Sequence, residues 1–157
     1  RIPTSHTHAL ADLSAKSHTS LTDKGNKTHA ELDTFLQNCV DYIDYSAIST
    51  IVGWSSFYYK DIFYKKIGSL LLVSFYIHGE SNNAAASFTL PYNTNAPGFH
   101  QGIIRVEDNY NWLAAPGLFS ITQGSNIVHL YKDGAQAAFT ASGQKGVAGQ
   151  FFCEVAS

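Results

Sequence analysis

From residue 46 onward the apolar residues recur at every second position or in short unbroken runs, the two patterns of β-strands. Strands are expected over residues 57–67 and 70–78, joined at Gly68, then over 87–90, 102–107, 118–122, Ile127–Tyr131 and 147–155. Asn82-Asn83, Pro91, Asp108-Asn109, Gln123-Gly124 and Asp133-Gly134 lie between these runs and supply turn formers. In the last run Val147, Phe151, Cys153 and Val155 point one way, Gln150 and Glu154 the other. Over 70–78 that alternation fails. Leu71, Val73, Phe75 and Ile77 make one apolar face, while Leu70, Leu72, Ser74, Tyr76 and His78 make a second that is also largely apolar. A strand with one wet face alternates cleanly, so both faces are expected to be covered, one by the core and one by a neighbouring subunit. Short strands with turns at this spacing over 46–157 predict a mainly β head, a jelly-roll-like antiparallel β-sandwich.

Before residue 46 the period changes. Thr28-His29-Ala30-Glu31 is a capping box, and Leu32, Phe35, Leu36, Cys39, Val40 and Ile43 follow at helical spacing. Asp33, Thr34, Gln37, Asn38 and Asp41 occupy the other face of the helix expected over residues 28–45. About four turns are marginal for a helix standing free. It packs either on its own head or in a three-helix neck with two symmetry mates. In a trimer the interface takes Leu32, Phe35, Leu36, Cys39 and Ile43 from this helix, and Leu70, Leu72 and Tyr76 from the second strand.

Residues 1–27 are polar and rich in Thr, Ser and His. Ser17-His18-Thr19-Ser20-Leu21 and Thr28-His29-Ala30-Glu31-Leu32 form a loose repeat, with a degenerate copy at Ser5-His6-Thr7-His8-Ala9-Leu10. One copy cannot bury a core, whereas three chains wound on an axis bring the leucines together. An extended fibre stalk and a linker both fit. The organisation is thus stalk or linker (1–27), helical neck (28–45) and head (46–157).

Charge narrows the function classes. Charged residues make up only 14% of the chain, the formal net charge is −2, and Lys65-Lys66 is the sole basic cluster, which argues against nucleic-acid binding. No apolar run approaches the ~20 residues of a membrane span, and no signal peptide is visible. The chain begins with Arg rather than Met, as expected of a fragment or processed product. Cys39 and Cys153 lie too far apart to suggest a disulfide framework. Two buried thiols are expected, with an interchain bond through Cys39 if that residue lies near a symmetry axis.

Few residues carry obvious chemistry. His6-Thr7-His8 on an extended chain puts both imidazoles on one side, and three chains would offer six nitrogens to iron or another transition metal. Two solvated histidines are the alternative. Glu107-Asp108 is the only adjacent acidic pair after residue 45. Neighbours on a strand face opposite sides, which is wrong for a paired acid and base, and solvated charge is the default expectation there. No nucleophile elbow, phosphate loop or zinc spacing is present, so no enzymatic activity is expected. Asp108, Asn109, Tyr110, Asn111 and Trp112 combine turn formers, amides and two amphipathic aromatics, a composition suited to a glycan or protein receptor. Trp112 alternatively anchors the core. The polar loop 93–100 is a second candidate surface.

Several of these segments resemble bacteriophage tail-fibre and receptor-binding proteins. They are Ser17-His18-Thr19-Ser20-Leu21-Thr22-Asp23 with Thr28-His29-Ala30-Glu31-Leu32-Asp33, then Tyr64-Lys65-Lys66-Ile67-Gly68-Ser69-Leu70, Gly79-Glu80-Ser81-Asn82 and Ser87-Phe88-Thr89-Leu90-Pro91-Tyr92. The resemblance covers roughly residues 17–92. It implies a parallel homotrimer in the virion, joined to upstream tail or fibre components, with a distal head that attaches to a bacterial surface glycan or protein. His6-Thr7-His8 also matches the His-x-His element that binds iron in some phage fibres. The readings that follow are a non-enzymatic adhesin, a purely structural trimeric virion component, or a glycan-depolymerising tail enzyme. A secreted trimeric signalling domain is a fourth.

Overall fold

Thr28 opens the helix as its capping box predicts. Its backbone N–H donates to Glu31 Oε2 at 2.7 Å, and the Glu31 N–H donates to Thr28 Oγ1 at 3.2 Å. The computed structural model describes residues 28–95 and 100–155. Helix α1 runs over His29–Val40 and stops short of the expected end at residue 45. Ile43 does not extend the helical stripe. It belongs to a two-residue strand, β1 (Ile43–Asp44), and lies opposite Tyr64. One local and one long-range bond compete with a further helical turn. The Asp44 carboxylate accepts from the Ser46 N–H at 2.8 Å, the Ser46 hydroxyl and then this N–H hold that carboxyl below its usual range, and the Tyr45 N–H donates to Ile62 O at 2.8 Å. Leu32, Leu36 and Ile43 are exposed. The side chains of Phe35 and Cys39 lie outside the described set, as do His6 and His8 with the rest of residues 1–27.

Leu36–Ser157 form one compact unit that contains the whole sheet. The chain continues through β2 (Ile51–Val52), β3 (Trp54–Ile67), β4 (Leu70–Ser81), β5 (Ala86–Thr89), β6 (His100–Asp108), β7 (Asn111–Trp112), β8 (Gly117–Ile121), β9 (Ile127–Tyr131) and β10 (Gln144–Glu154). The named strands pair antiparallel in the order β1-β3-β4-β10-β6-β8-β9-β5-β2, with β7 beside β6. The protein is therefore mainly antiparallel β, and its sheet is curled. The bend lies in β6, which pairs with β8 over its first residues, up to Ile104, and with β10 from Arg105 onward.

The curl closes the core. Phe75 of β4 meets Phe88 of β5 with ring centroids 4.9 Å apart, and Phe119 of β8 stacks on Phe151 of β10 at 4.5 Å. Leu71, Val73, Phe75 and Ile77 all point inward, as their alternation predicts. Leu70, Leu72, Ser74, Tyr76 and His78 line the outer face and are half-buried within the chain itself. Cys153 is a free, buried thiol, and burial pushes its pKa up to about 11. Among the described residues no helix is long and apolar enough to cross a membrane.

Candidate functional site

The outer face around β10 gathers the polar and aromatic side chains. Strand registry makes a row across it, because Tyr59 pairs with His78, His78 with Gly146, Gly146 with Glu107, and Glu107 with Trp112. The next row holds Asp61, Tyr76, Ala148 and Arg105. β10 thus contributes a glycine and an alanine between two lines of larger side chains. Over Gly146 the two lines touch, with His78 Nε2 3.0 Å from Glu107 Oε2. A Cβ on Gly146 would come within 2.9 Å of His78 Cδ2 and 3.2 Å of Glu107 Oε2, so the pair needs glycine beneath it. The contact is an ion-pair distance without an aligned hydrogen bond. His78 Nδ1 and Glu107 Oε2 are both buried with no hydrogen-bond partner. Buried polar atoms left in this state are unusual in a folded protein.

A backbone irregularity supplies the aromatic part of the site. Consecutive strand residues ordinarily face opposite sides. The β3–β4 register slips between Phe57 and Tyr59, and the resulting bulge lets both Tyr58 and Tyr59 reach His78. Their ring centroids lie 5.4 and 6.3 Å from the imidazole, and Tyr59 stacks on Tyr76 at 5.1 Å. The Tyr58 hydroxyl bonds to Glu80, and that bond raises its pKa. The Trp112 ring lies nearly parallel to His78, 15° apart at 6.4 Å, and Arg105 sits over the indole at 4.4 Å.

The β6–β7 hairpin brings Trp112 to this face. Asn109 and Tyr110 form its two-residue tip with φ of 50° and 66°, as a type I′ turn requires. Gly143 makes room beneath the tip, since a Cβ there would meet Asn109 Oδ1 at 2.4 Å and Tyr110 Cε2 at 2.8 Å. Asn111 Nδ2 bonds back to Asn109 O at 2.9 Å, while Tyr110 and Trp112 are exposed. Trp112 is therefore a surface residue and not a core anchor.

Two expectations change. Glu107 and Asp108 are buried, not solvated. Asp108 turns away from any ligand, accepting from the Thr140 N–H at 2.7 Å and the Thr140 hydroxyl at 3.0 Å, with Lys132 Nζ 3.5 Å away. It holds the hairpin in place and does not present a contact. Tyr76, also expected at a subunit interface, lies half-buried on the outer face and stacks on Tyr59 there. Tyr58, Tyr59, His78, Glu107 and Arg105 went unread as site residues, because only the bulge and the long-range registry place them together. Of the loop 93–100, residues 96–99 lie outside the described set.

Beside the cluster lies a depression of about 420 Å³ lined by Arg105, Ala148, Ile103, Ile104 and the segment from Leu113 to Pro116. The site as a whole offers ring faces, one buried carboxylate, one cation and an apolar hollow. Among the described residues no group of three or more His, Cys, Asp or Glu side chains could hold a metal ion. No protein-family model matches this chain, and no curated protein matches it.

Proposed function

We propose that the chain is the distal part of a bacteriophage tail fibre, a homotrimer whose head attaches to a glycan on the bacterial surface without cleaving it. In this reading helix α1 contributes the neck, and the sheet from β1 to β10 a jelly-roll-like sandwich head. The tail-fibre motifs within residues 17–92 motivate the assignment. The observation that carries the glycan reading is the outer-face cluster of Tyr59, Tyr76, Trp112, His78 and Glu107. Sugars offer C–H faces that stack on aromatic rings and hydroxyls that bond to carboxylates and imidazoles. The trimer seam takes Leu32 and Leu36 on the neck and the other end of the same sheet face, where Leu70 and Leu72 run beside the exposed Phe152.

Two measurements test this reading. Light scattering coupled to size exclusion should give about three times the 17.2 kDa chain mass at every dilution. Purified host cell-wall polysaccharide should be bound with no release of reducing ends. Trp112→Ala should weaken binding at least about tenfold while leaving the melting temperature within a few degrees, since the indole is a surface group. A monomer would remove the fibre architecture. A trimer that binds no host polysaccharide would leave a purely structural virion component, and reducing-end release would make the chain an enzyme.

A further inference from the structure

Arg105 is the charged residue among the side chains that line the depression, where its neighbours include Ile103, Leu113, Ala114, Ala115 and Pro116. A carboxylate stands two residues away on the same strand face, yet Glu107 is engaged by His78 at 3.0 Å. Among the described residues no carboxylate lies within ion-pair distance of Arg105. Its guanidinium rests on the Trp112 ring at 4.4 Å. Stacking uses the face of a guanidinium and leaves the donors along its edge free, in the fork that fits a carboxylate or phosphate.

We infer that Arg105 and the adjoining depression form a subsite for an acidic sugar residue, one bearing an anionic carboxylate or phosphate group together with a small apolar substituent. The anion meets the edge of the Arg105 guanidinium, and the substituent (a methyl or the methyl of an N-acetyl group) packs against Ala114, Ala115 and Pro116. The Trp112 ring lies against the guanidinium, and Arg105 stays exposed and open to a ligand. A neutral sugar in the same place offers only hydroxyl acceptors, which return less to the desolvated cation than an anion does, so the site favours the anion. This inference rests on the glycan reading above and specifies the class of glycan.

The test is calorimetric titration of the full chain with three oligosaccharides: one bearing a uronate, the same one with its carboxyl reduced to an alcohol, and one bearing a glycerol phosphate. One anionic ligand, or both, should bind at least about tenfold more tightly than the reduced sugar, the scale of a charge-assisted hydrogen-bond pair. Which of them does so identifies the source of the anion. Arg105→Gln should erase the preference, binding the anionic and reduced sugars within about twofold of each other. Arg105→Lys should fall between, because it keeps the charge and loses the fork. Equal affinity for the anionic and reduced sugars would overturn the inference and leave the glycan reading standing. Loss of reduced-sugar binding in Arg105→Gln would also overturn it, by making Arg105 a support for Trp112. Binding of none of the three by the unaltered protein would defeat both.

Discussion

Gly79→Ala should destabilise the protein by about 3 kcal/mol and weaken glycan binding at least about tenfold, the upper range for overpacking against atoms that cannot step aside. A Cβ on Gly79 would sit 2.0 Å from Ser56 O and 2.9 Å from Phe57 Cα. Both are main-chain atoms of the bulged part of β3, so relief requires the strand itself to move. That movement undoes the bulge that sends Tyr58 and Tyr59 to the same face. Gly134→Ala is the matched control, because nothing lies within 4 Å of a Cβ there. It should change stability by no more than about 0.5 kcal/mol. Urea unfolding of both variants, with polysaccharide binding measured under native conditions, checks the pair. A Gly79→Ala protein of unaltered stability and affinity would show that the bulge does not position the site.

Stability should rise by about 1 kcal/mol between pH 8 and pH 9 and then level off, because two buried groups titrate in opposite senses. Lys145 is fully buried, and burial lowers its pKa to about 8, with nearby Asp108 opposing the shift. Its ammonium donates to Gly53 O at 3.1 Å and Asn83 O at 2.6 Å, and lies 5.0 Å from the ring centroids of both Trp54 and Phe139. Above pH 8 the folded protein has released this proton while the unfolded chain keeps it up to the ordinary value of 10.5, so stability climbs with pH. Cys153 works the other way from pH 9. The unfolded chain loses the thiol proton near 9, and the folded protein holds it to about 11. Cys153→Ala should therefore extend the rise to pH 10, and Lys145→Met should abolish it and leave a fall above pH 9. Lys145→Ala should cost about 3 kcal/mol at pH 7, since it opens a void between two rings and orphans two carbonyls. Lys145→Met keeps most of the volume and should cost roughly 1–2 kcal/mol. Unfolding curves at pH 7, 8, 9 and 10 read all four forms, and a flat profile for the unaltered protein would show that Lys145 is not held in the charged, dehydrated state described.

Much of the fold was legible because it rests on local pattern. The run Ile127–Tyr131 is a strand with the bounds its sequence suggests, Gly68 turns β3 into β4 with φ of 62°, and the capping box at Thr28 forms both its bonds. The helix was read too long because Ile43 falls on the helical period by coincidence, and the competing bonds of Asp44 and Tyr45 are invisible to periodicity. Of the site, Trp112 and the turn beside it could be read from composition. The remainder could not. Lys145 and Glu107 have the chemistry of surface residues, and only strand pairings across some 40 to 90 positions of sequence reveal that one is enclosed and the other bridged to His78. The sole hint was negative: the outer positions of 70–78 were too apolar and too aromatic for a wet face.

The strands at the two ends of the sheet, β1 and β2, each contain only two residues. Past β1, the outer edge of β3 runs on through the consecutive charges Asp61 and Lys60 and then through the stretch interrupted by both register slips. Short borders, irregular borders and borders carrying charge are the ways proteins avoid offering a template to another chain's backbone. Copies of this chain therefore have little opportunity to fuse into continuous ribbons. Aggregation resistance and the placing of Tyr58 and Tyr59 on one face depend on the same irregularity, so straightening β3 should make the protein sticky as well as scatter that cluster.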